Sequence, residues 1–272
     1  MASLDLQNSV AIITGGASGI GQSIGWRLIQ EGVNIVIADV DTEGGQKLRD
    51  EMNASDMAGS AIFLEADVTD RDNMEQLASK AVDEFGKIDI LVNNAGINIP
   101  RLLVDPAGEE ELTQDLYDGM MAVNVEGAVW CAQAVGRHMV KQGEGVIINM
   151  ASECALEGST GQGVYAASKA ALYSFTRSWA KELGPHGIRV VGLAPGIMEA
   201  TSLRNDEYDR ALAYTRGISI EEINAAYENA SVPLRRVGKL EEVADVVAFV
   251  ASDMAGYISG TVINVSGGKS RA

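Results

Sequence analysis

Three side chains near the middle of the chain could together move a proton. Ser152 supplies a hydroxyl, Tyr165 a phenol and Lys169 an ammonium. Residues four apart share a helix face, so a helix opening near Tyr165 would set Lys169 beside the phenol. A tyrosine titrates near pH ~10, too high for a good base at neutrality, and an adjacent cation lowers that value by favouring the phenolate. The pair could then pass a proton to or from a substrate oxygen, and Ser152 could donate a hydrogen bond to the same oxygen. Taken alone, the trio reads more readily as a core tyrosine, a surface lysine and a loop serine. The surrounding elements decide.

Those elements alternate. Residues 10–14 form a short apolar run with the pattern of a strand buried on both faces. The turn Thr14-Gly-Gly-Ala-Ser-Gly-Ile-Gly21 follows, then a helix over 22–30 and a second strand over 34–38 closed by Asp39. Strand, glycine turn, helix and strand in this spacing make a βαβ unit. In such a turn backbone N–H groups approach a pyrophosphate, and the helix N-terminus adds partial positive charge. The spacing Gly15-x-x-x-Gly19-x-Gly21 departs from Gly-x-Gly-x-x-Gly. Its place between strand and helix nonetheless favours a dinucleotide over a plain loop. Asp39 at the second strand's end could accept hydrogen bonds from both ribose hydroxyls and would repel a 2′-phosphate. With no Lys or Arg in the turn or beside Asp39, NAD is expected over NADP. A turn or cap role for Asp39 stays open.

Strands follow over 61–65, 88–92, 145–150, 187–194 and 261–265, with helices over 70–85, 113–140 (one or two), 164–183 and 240–251. Alternation at this spacing predicts an α/β fold, a doubly wound (Rossmann) parallel sheet of about seven strands with helices on both faces. No linker-like stretch interrupts it, so one domain is expected over 1–272. Asp67, Asn93, Gly96 and Ser152 all fall at strand ends, the edge where open α/β sheets bind ligands. Asp67 could accept from an adenine amino group, while Asn93 and Gly96 would line the cofactor channel. Asn124, inside a helical stretch, could bend that helix or hold a water near Lys169. Residues 197–235 are the least regular part. Asn205 could cap a helix through Thr215, and Ser219-Ile-Glu-Glu222 is a capping box for a second helix toward Glu228. Two such helices suit a substrate flap, or an oligomer contact.

The chain has 272 residues and a net charge of -17. That balance argues against nucleic acid or anionic membrane as a partner, and an anionic substrate would need a local cationic pocket. Two cysteines, Cys131 and Cys154, suggest no disulfide framework and a reducing cytoplasm. With two histidines, no metal-ligand cluster is expected. The start lacks the basic and apolar regions of a signal peptide, and no apolar run reaches ~18 residues.

The glycine turn, Asn93-Asn-Ala-Gly96, Asn124, Ser152, Tyr165-Ala-Ala-Ser-Lys169 and Pro195-Gly196 together resemble the short-chain dehydrogenase/reductase family, in family order and over nearly the whole chain. The resemblance implies a catalytic tetrad of Asn124, Ser152, Tyr165 and Lys169, a nicotinamide dinucleotide and, commonly, a homotetramer. Cofactor contacts are expected from Gly15, Ser18, Gly19, Ile20, Gly21, Asp39, Asp67, Val68, Asn94, Ala95, Gly96, Tyr165, Lys169, Pro195, Gly196 and Ile197. Residues 96–105, 174–184, 187–191 and 238–246 resemble the sugar-phosphate dehydrogenases of that family. This implies reversible hydride transfer between NAD and a secondary alcohol, with sorbitol 6-phosphate and fructose 6-phosphate the favoured pair. Thr201 lies one residue beyond the usual family spacing after Pro-Gly, which puts its nicotinamide contact in doubt.

A polyol calls for several hydrogen-bonding groups, and Asn98, Glu153, Glu157 and Gln162 lie on loops that should reach the pocket. A phosphate calls for arginine, and Arg101 and Arg204 are the candidates. Three alternatives remain at this point: a dehydrogenase of an unphosphorylated polyol or ketose, a 3-oxoacyl-carrier-protein reductase, and a non-catalytic NAD-binding sensor.

Overall fold

A computed structural model describes residues 4–201, 203–228 and 232–270, the side chains of 226–228 aside. Of the expected flap, positions 202 and 229–231 lie outside the described residues, as do positions 1–3 of the start. Seven strands form one sheet: β1 (Val10–Thr14), β2 (Asn34–Asp39), β3 (Ala61–Glu65), β4 (Ile90–Asn93), β5 (Gly145–Met150), β6 (Ile188–Pro195) and β7 (Val262–Val265). They pair in the order β3-β2-β1-β4-β5-β6-β7, every pair parallel. The helices are α1 (Gly19–Gln30), α2 (Thr42–Asn53), α3 (Arg71–Phe85), α4 (Gln114–Met121), α5 (Gly127–Gln142), α6 (Cys154–Glu157), α7 (Gly163–Leu183), α8 (Asp206–Arg216), α9 (Ile220–Glu228) and α10 (Leu240–Ala251). This is the doubly wound arrangement expected from the alternating pattern.

The two-residue period of a strand divides the apolar runs between two cores. Ala11, Ile13, Ile35 and Ile37 pack with Ile24 and Leu28 of α1 and Val243 and Val247 of α10. Val10, Ile12, Val36 and Ala38 face the other way, onto Met74 and Leu77 of α3 and Cys131 and Val135 of α5. Covered on both sides, the central strands need a continuous apolar run. The strand order reverses between β1 and β4, opening a crevice at their carboxyl ends.

Several details differ from the sequence pattern. Helix α1 starts at Gly19, already within the glycine-rich stretch, rather than at Gln22. Strand β4 is shifted, so that Asn93 lies within it. Its side chain enters the core instead of the cofactor channel: Asn93 is buried and donates to Asn149 Oδ1 at 2.9 Å. Helix α2, with two glycines and few apolar residues, carried no strong signal, but Asp41 caps it by accepting from Gly44 N at 3.0 Å. The stretch 113–140 is two helices joined by a π-helical turn over Ala122–Glu126, centred on Asn124.

Candidate active site

The crevice holds two adjoining hollows. One, about 270 Å³, is lined by Gly15, Ser18, Gly19, Ile20, Asp39, Val40, Asp67, Val68, Asn94, Ala95 and Gly96. The glycine turn shapes its floor. A Cβ on Gly21 would lie 2.1 Å from the Gly15 carbonyl and 2.7 Å from Asn94 Nδ2, and one on Gly15 would meet the Ala95 Cα at 2.9 Å. Asn94 fixes the turn by donating to the Thr14 and Gly15 carbonyls, both at 3.0 Å. The N-cap residue Ser18 makes no side-chain cap to the first amides of α1 among the described residues, so the helix N-terminus presents its N–H groups and partial positive charge to the hollow. At the β2 end, Asp39 accepts from Ala17 N at 2.9 Å through one oxygen and from Asp41 N at 3.0 Å through the other. A carboxylate offers about four acceptor positions, so room for ribose hydroxyls remains. The hollow's two charged residues, Asp39 and Asp67, are both acidic. A narrow glycine-walled channel, an open helix N-terminus and a carboxylate at the next strand's end fit a dinucleotide.

The second hollow is a cleft of about 360 Å³, joined to the first through Ile20, Asn94, Gly96, Thr201 and Leu203. Ser152, Tyr165 and Lys169 line it together. Ser152 stands just beyond β5, and its Oγ accepts from Cys154 N at 3.3 Å. The short helix α6, unforeseen from sequence, and the glycine-containing loop after it carry the chain to α7. Gly161 is required there: at φ +78°, an added Cβ would lie 2.3 Å from Thr215 Oγ1. Tyr165 and Lys169 occupy one face of α7, and the ammonium lies 5.9 Å from the phenol ring centroid. Lys169 is 4 % exposed and donates to the Met150 carbonyl at 2.8 Å. Burial pulls its pKa down to about 8, because a charge removed from water is disfavoured.

Asn124 is almost fully buried. Its Oδ1 accepts from Ile97 N at 2.8 Å, and its Nδ2 donates to the Ile97 carbonyl at 2.9 Å and to Ser168 Oγ at 3.0 Å. The amide therefore clamps the chain after β4, and the bend expected at Asn124 is the π turn itself. A Cβ on Gly96 would sit 3.2 Å from both Asn124 Oδ1 and Lys169 Nζ, so that glycine leaves room for the two to approach.

The remaining expected residues divide. Pro195, Gly196, Ile197, Asn98, Glu153, Glu157, Gln162 and Arg204 all line the cleft. Gln162 donates to the Tyr208 hydroxyl at 3.0 Å, tying α7's start to α8. Thr201 reaches the junction of both hollows despite its shifted spacing. Arg101 is the exception. Its backbone pairs with Gly161, and its side chain forms an ion pair with Glu110 at 2.8 Å and donates to the Pro100 carbonyl, away from the cleft wall. Arg204 lines the cleft but is ion-paired with Asp209 at 2.8 Å.

Two cations on the wall were not singled out from sequence: Arg216, at the end of α8, and Lys269, after β7. Lys269 Nζ lies 2.6 Å from Glu153 Oε1, while Glu153 Oε2 is buried without a partner. A signal for Lys269 existed. It follows Val265-Ser-Gly-Gly at the carboxyl edge of the last strand, where such sheets bind ligands. Among the described residues no group of three or more His, Cys, Asp or Glu could hold a metal, and no helix is long and apolar enough to cross a membrane.

A dinucleotide channel opening onto a tyrosine–lysine–serine cleft defines an NAD(P)-dependent oxidoreductase acting on alcohol groups. The family model of the short chain dehydrogenases matches residues 9–211, and the chain belongs to that family. It is 46% identical to a sorbitol-6-phosphate 2-dehydrogenase of Klebsiella pneumoniae over 271 residues, 98% of each chain. It is 37% identical to a 3-oxoacyl-[acyl-carrier-protein] reductase of Thermotoga maritima, over 97% of this chain and 98% of that one. Among solved structures, an NAD+-bound xylitol dehydrogenase superposes with a TM-score of 0.86 at 28% identity, covering 97% of this chain and all of the other.

Proposed function

We propose that the chain transfers a hydride reversibly between NAD and a secondary alcohol of a polyol or sugar phosphate, with sorbitol 6-phosphate and fructose 6-phosphate as the favoured pair. The observation that carries this reading is charge. In a chain of net charge -17, the catalytic cleft is walled by four cations, Lys169, Arg204, Arg216 and Lys269, against three carboxylates, Glu153, Glu157 and Glu199. Such a cleft suits an anionic substrate. The likeness to the Klebsiella pneumoniae sorbitol-6-phosphate 2-dehydrogenase supports the same choice.

Bound in the channel, the nicotinamide supplies the hydride acceptor. Tyr165 takes the hydroxyl proton in oxidation and returns it in reduction. Lys169, charged and buried beside the phenol, favours its phenolate. Ser152 donates to the substrate oxygen as its charge develops; losing such a donor costs on the order of 10²–10³ in rate. Asn124 positions: with its amide spent on Ile97 and Ser168, a water relaying protons from Lys169 would rest on the backbone of the π turn. Asn98, Glu153, Glu157 and Gln162 receive the substrate hydroxyls, and Arg204, held by Asp209, shapes the flap.

Asp39 and Asp67, with no cation in their hollow, favour NAD over NADP. They also weigh against an acyl-carrier reductase using NADP, as does the acidic chain against docking an acidic carrier. We read the whole chain as one domain, assembling as a homotetramer in the cytoplasm. A dehydrogenase of an unphosphorylated polyol is the second reading, favoured by the likeness to the xylitol enzyme.

The test is an NADH-formation screen over polyols and their phosphates, with NADP in parallel. Turnover of sorbitol 6-phosphate with NAD is expected. Reduction of acetoacetyl thioesters with NADPH and no polyol phosphate turnover would overturn the reading. Tyr165→Phe should abolish turnover; a sensor would keep its function.

A further inference from the structure

The geometry points to a phosphate-binding subsite made by Arg216 and Lys269 at the end of the cleft away from the cofactor hollow. This rests on the sugar-phosphate reading above. A phosphate ester needs a cation that is not already neutralised, or one whose partner can be shared. Arg101, a natural expectation from sequence, is turned to Glu110 outside the cleft. Arg204 is held by Asp209 and donates to Asn224. Lys169 is buried beside Tyr165, where the reacting oxygen must lie.

Arg216 differs from these. Its Nη2 donates to Ser159 Oγ at 3.0 Å, and among the described residues no carboxylate forms an ion pair with it. Lys269 is held at the wall by Glu153, a residue only 4 % exposed, whose carboxylate keeps one oxygen without a partner. A carboxylate so buried must hold a counter-ion, and this fixes Lys269 in the cleft before any substrate arrives. An ammonium carries three donors and the Glu153 contact uses one direction, so Lys269 can take a phosphate oxygen while it stays paired.

The two cations come from different elements, α8 and the segment after β7, yet both line the cleft, Arg216 on Ser159 and Lys269 on Glu153. Both charges act on the Cys154 thiol, each opposing the rise that burial imposes on it. Cys154 lies two residues beyond Ser152, and neither Arg216 nor Lys269 lines the cofactor hollow. A six-carbon substrate with its second carbon at Ser152 and Tyr165 would thus extend its phosphorylated end toward Ser159, Arg216 and Lys269.

The experiment measures KM and kcat for sorbitol 6-phosphate and for sorbitol in wild type, Arg216→Ala, Arg216→Lys, Arg101→Ala and the double variant Lys269→Met/Glu153→Gln, which avoids stranding a buried charge. Removing a charged hydrogen bond to the phosphate should raise KM for sorbitol 6-phosphate about 10- to 100-fold in Arg216→Ala. The kcat should stay within about threefold and KM for sorbitol should be unchanged. Arg216→Lys should recover part of the loss, and inorganic phosphate should inhibit wild type more than Arg216→Ala. An unchanged KM in both Arg216→Ala and the double variant, an equal rise for both substrates in Arg216→Ala, or a phosphate-specific rise in Arg101→Ala overturns the subsite alone. A wild type that turns over no polyol phosphate overturns the sugar-phosphate reading, and the subsite with it.

Discussion

Lys169→Met separates what the buried ammonium does for chemistry from what it costs the fold. Burial lowers the lysine from 10.5 to about 8. Below about pH 8 the group is charged in both the folded and the unfolded chain, so the cost of burying the charge is fully present. Between about 8 and 10.5 the folded chain has lost a proton that the unfolded chain still binds, so wild-type stability rises with pH. Above 10.5 both are neutral and the gain is complete. The span of about 2.5 pH units, at 1.36 kcal/mol per unit, amounts to about 3 kcal/mol. The variant lacks this gain. It also leaves the Met150 carbonyl without its donor, a loss of roughly 1–3 kcal/mol that does not vary with pH. The absolute order of the two proteins at neutrality is thus a near balance, while the pH dependence of their difference is not. Urea unfolding of both proteins at steps from pH 7 to 10.5 measures that difference, and groups common to both cancel. Wild type should gain about 3 kcal/mol on the variant across the window, and the variant should have lost its turnover. A difference flat to within about 1 kcal/mol would mean that the ammonium is not destabilised by its surroundings, and the account of Lys169 as a strained, functional charge would fall.

Gly21→Ala should abolish dinucleotide binding, measured by NADH fluorescence, because its Cβ would overlap the Gly15 carbonyl at 2.1 Å; binding within threefold of wild type would refute the channel assignment. Asp39→Ala should raise the ratio of kcat/KM for NADP over NAD by about 10-fold or more, the worth of a lost charged hydrogen bond plus a relieved repulsion. It should also weaken NAD itself, since Ala17 N loses its acceptor. Iodoacetamide should modify Cys154, on the cleft wall, long before Cys131, whose thiol is fully buried and pushed up to about 12; mass spectrometry should find that sorbitol 6-phosphate slows the Cys154 reaction. Raising ionic strength from about 10 to 150 mM shortens the Debye length from about 30 to 8 Å, so KM for sorbitol 6-phosphate should fall as the chain's overall negative field is screened, with no such change for sorbitol.

Much of this was legible in the sequence because it is periodic or local. The strands announce themselves as apolar runs, and the helix over 70–85 by its amphipathic spacing. Asn205 and the Ser219–Glu222 box cap α8 and α9 as their residue types suggest, with Asn205 Oδ1 accepting from Tyr208 N at 2.9 Å. Tyr165 and Lys169 share a face because four residues make about one helical turn. What was not legible depends on contacts between distant segments. Asn93 reads as a strand-end residue, but a short shift of β4 turns it into the core toward Asn149, fifty-six residues away. Arg101 looks available until Glu110 folds back on it. Arg216 and Lys269 gain significance only when α8 and the segment after β7 are brought to the wall of one cleft. Sequence spacing carries no information about that meeting.

The division of charge between the two hollows would let an acidic chain serve the anionic substrate proposed for it. At physiological ionic strength charges beyond about 8 Å are largely screened, so the chain's net charge of -17 matters less than the groups on each wall. On the cofactor side those are Asp39 and Asp67, which suit ribose and adenine donors and disfavour an added phosphate. On the substrate side cations outnumber carboxylates, and the least solvated carboxylate, Glu153, is matched by Lys269. Lys169 lies in the substrate cleft beside Gly96, where the hollows join, and its ammonium faces both the phenol and the chain after β4. A charge in that position is unfavourable for the fold, which is the mark of a group kept for function, as the proton transfer proposed for Tyr165 would require. Selection against phosphate in one hollow and for it in the other would then come from charges held in place by different loops at the same edge of the sheet. Each could change without disturbing the other: Asp39 through the turn after β2, Arg216 through the end of α8.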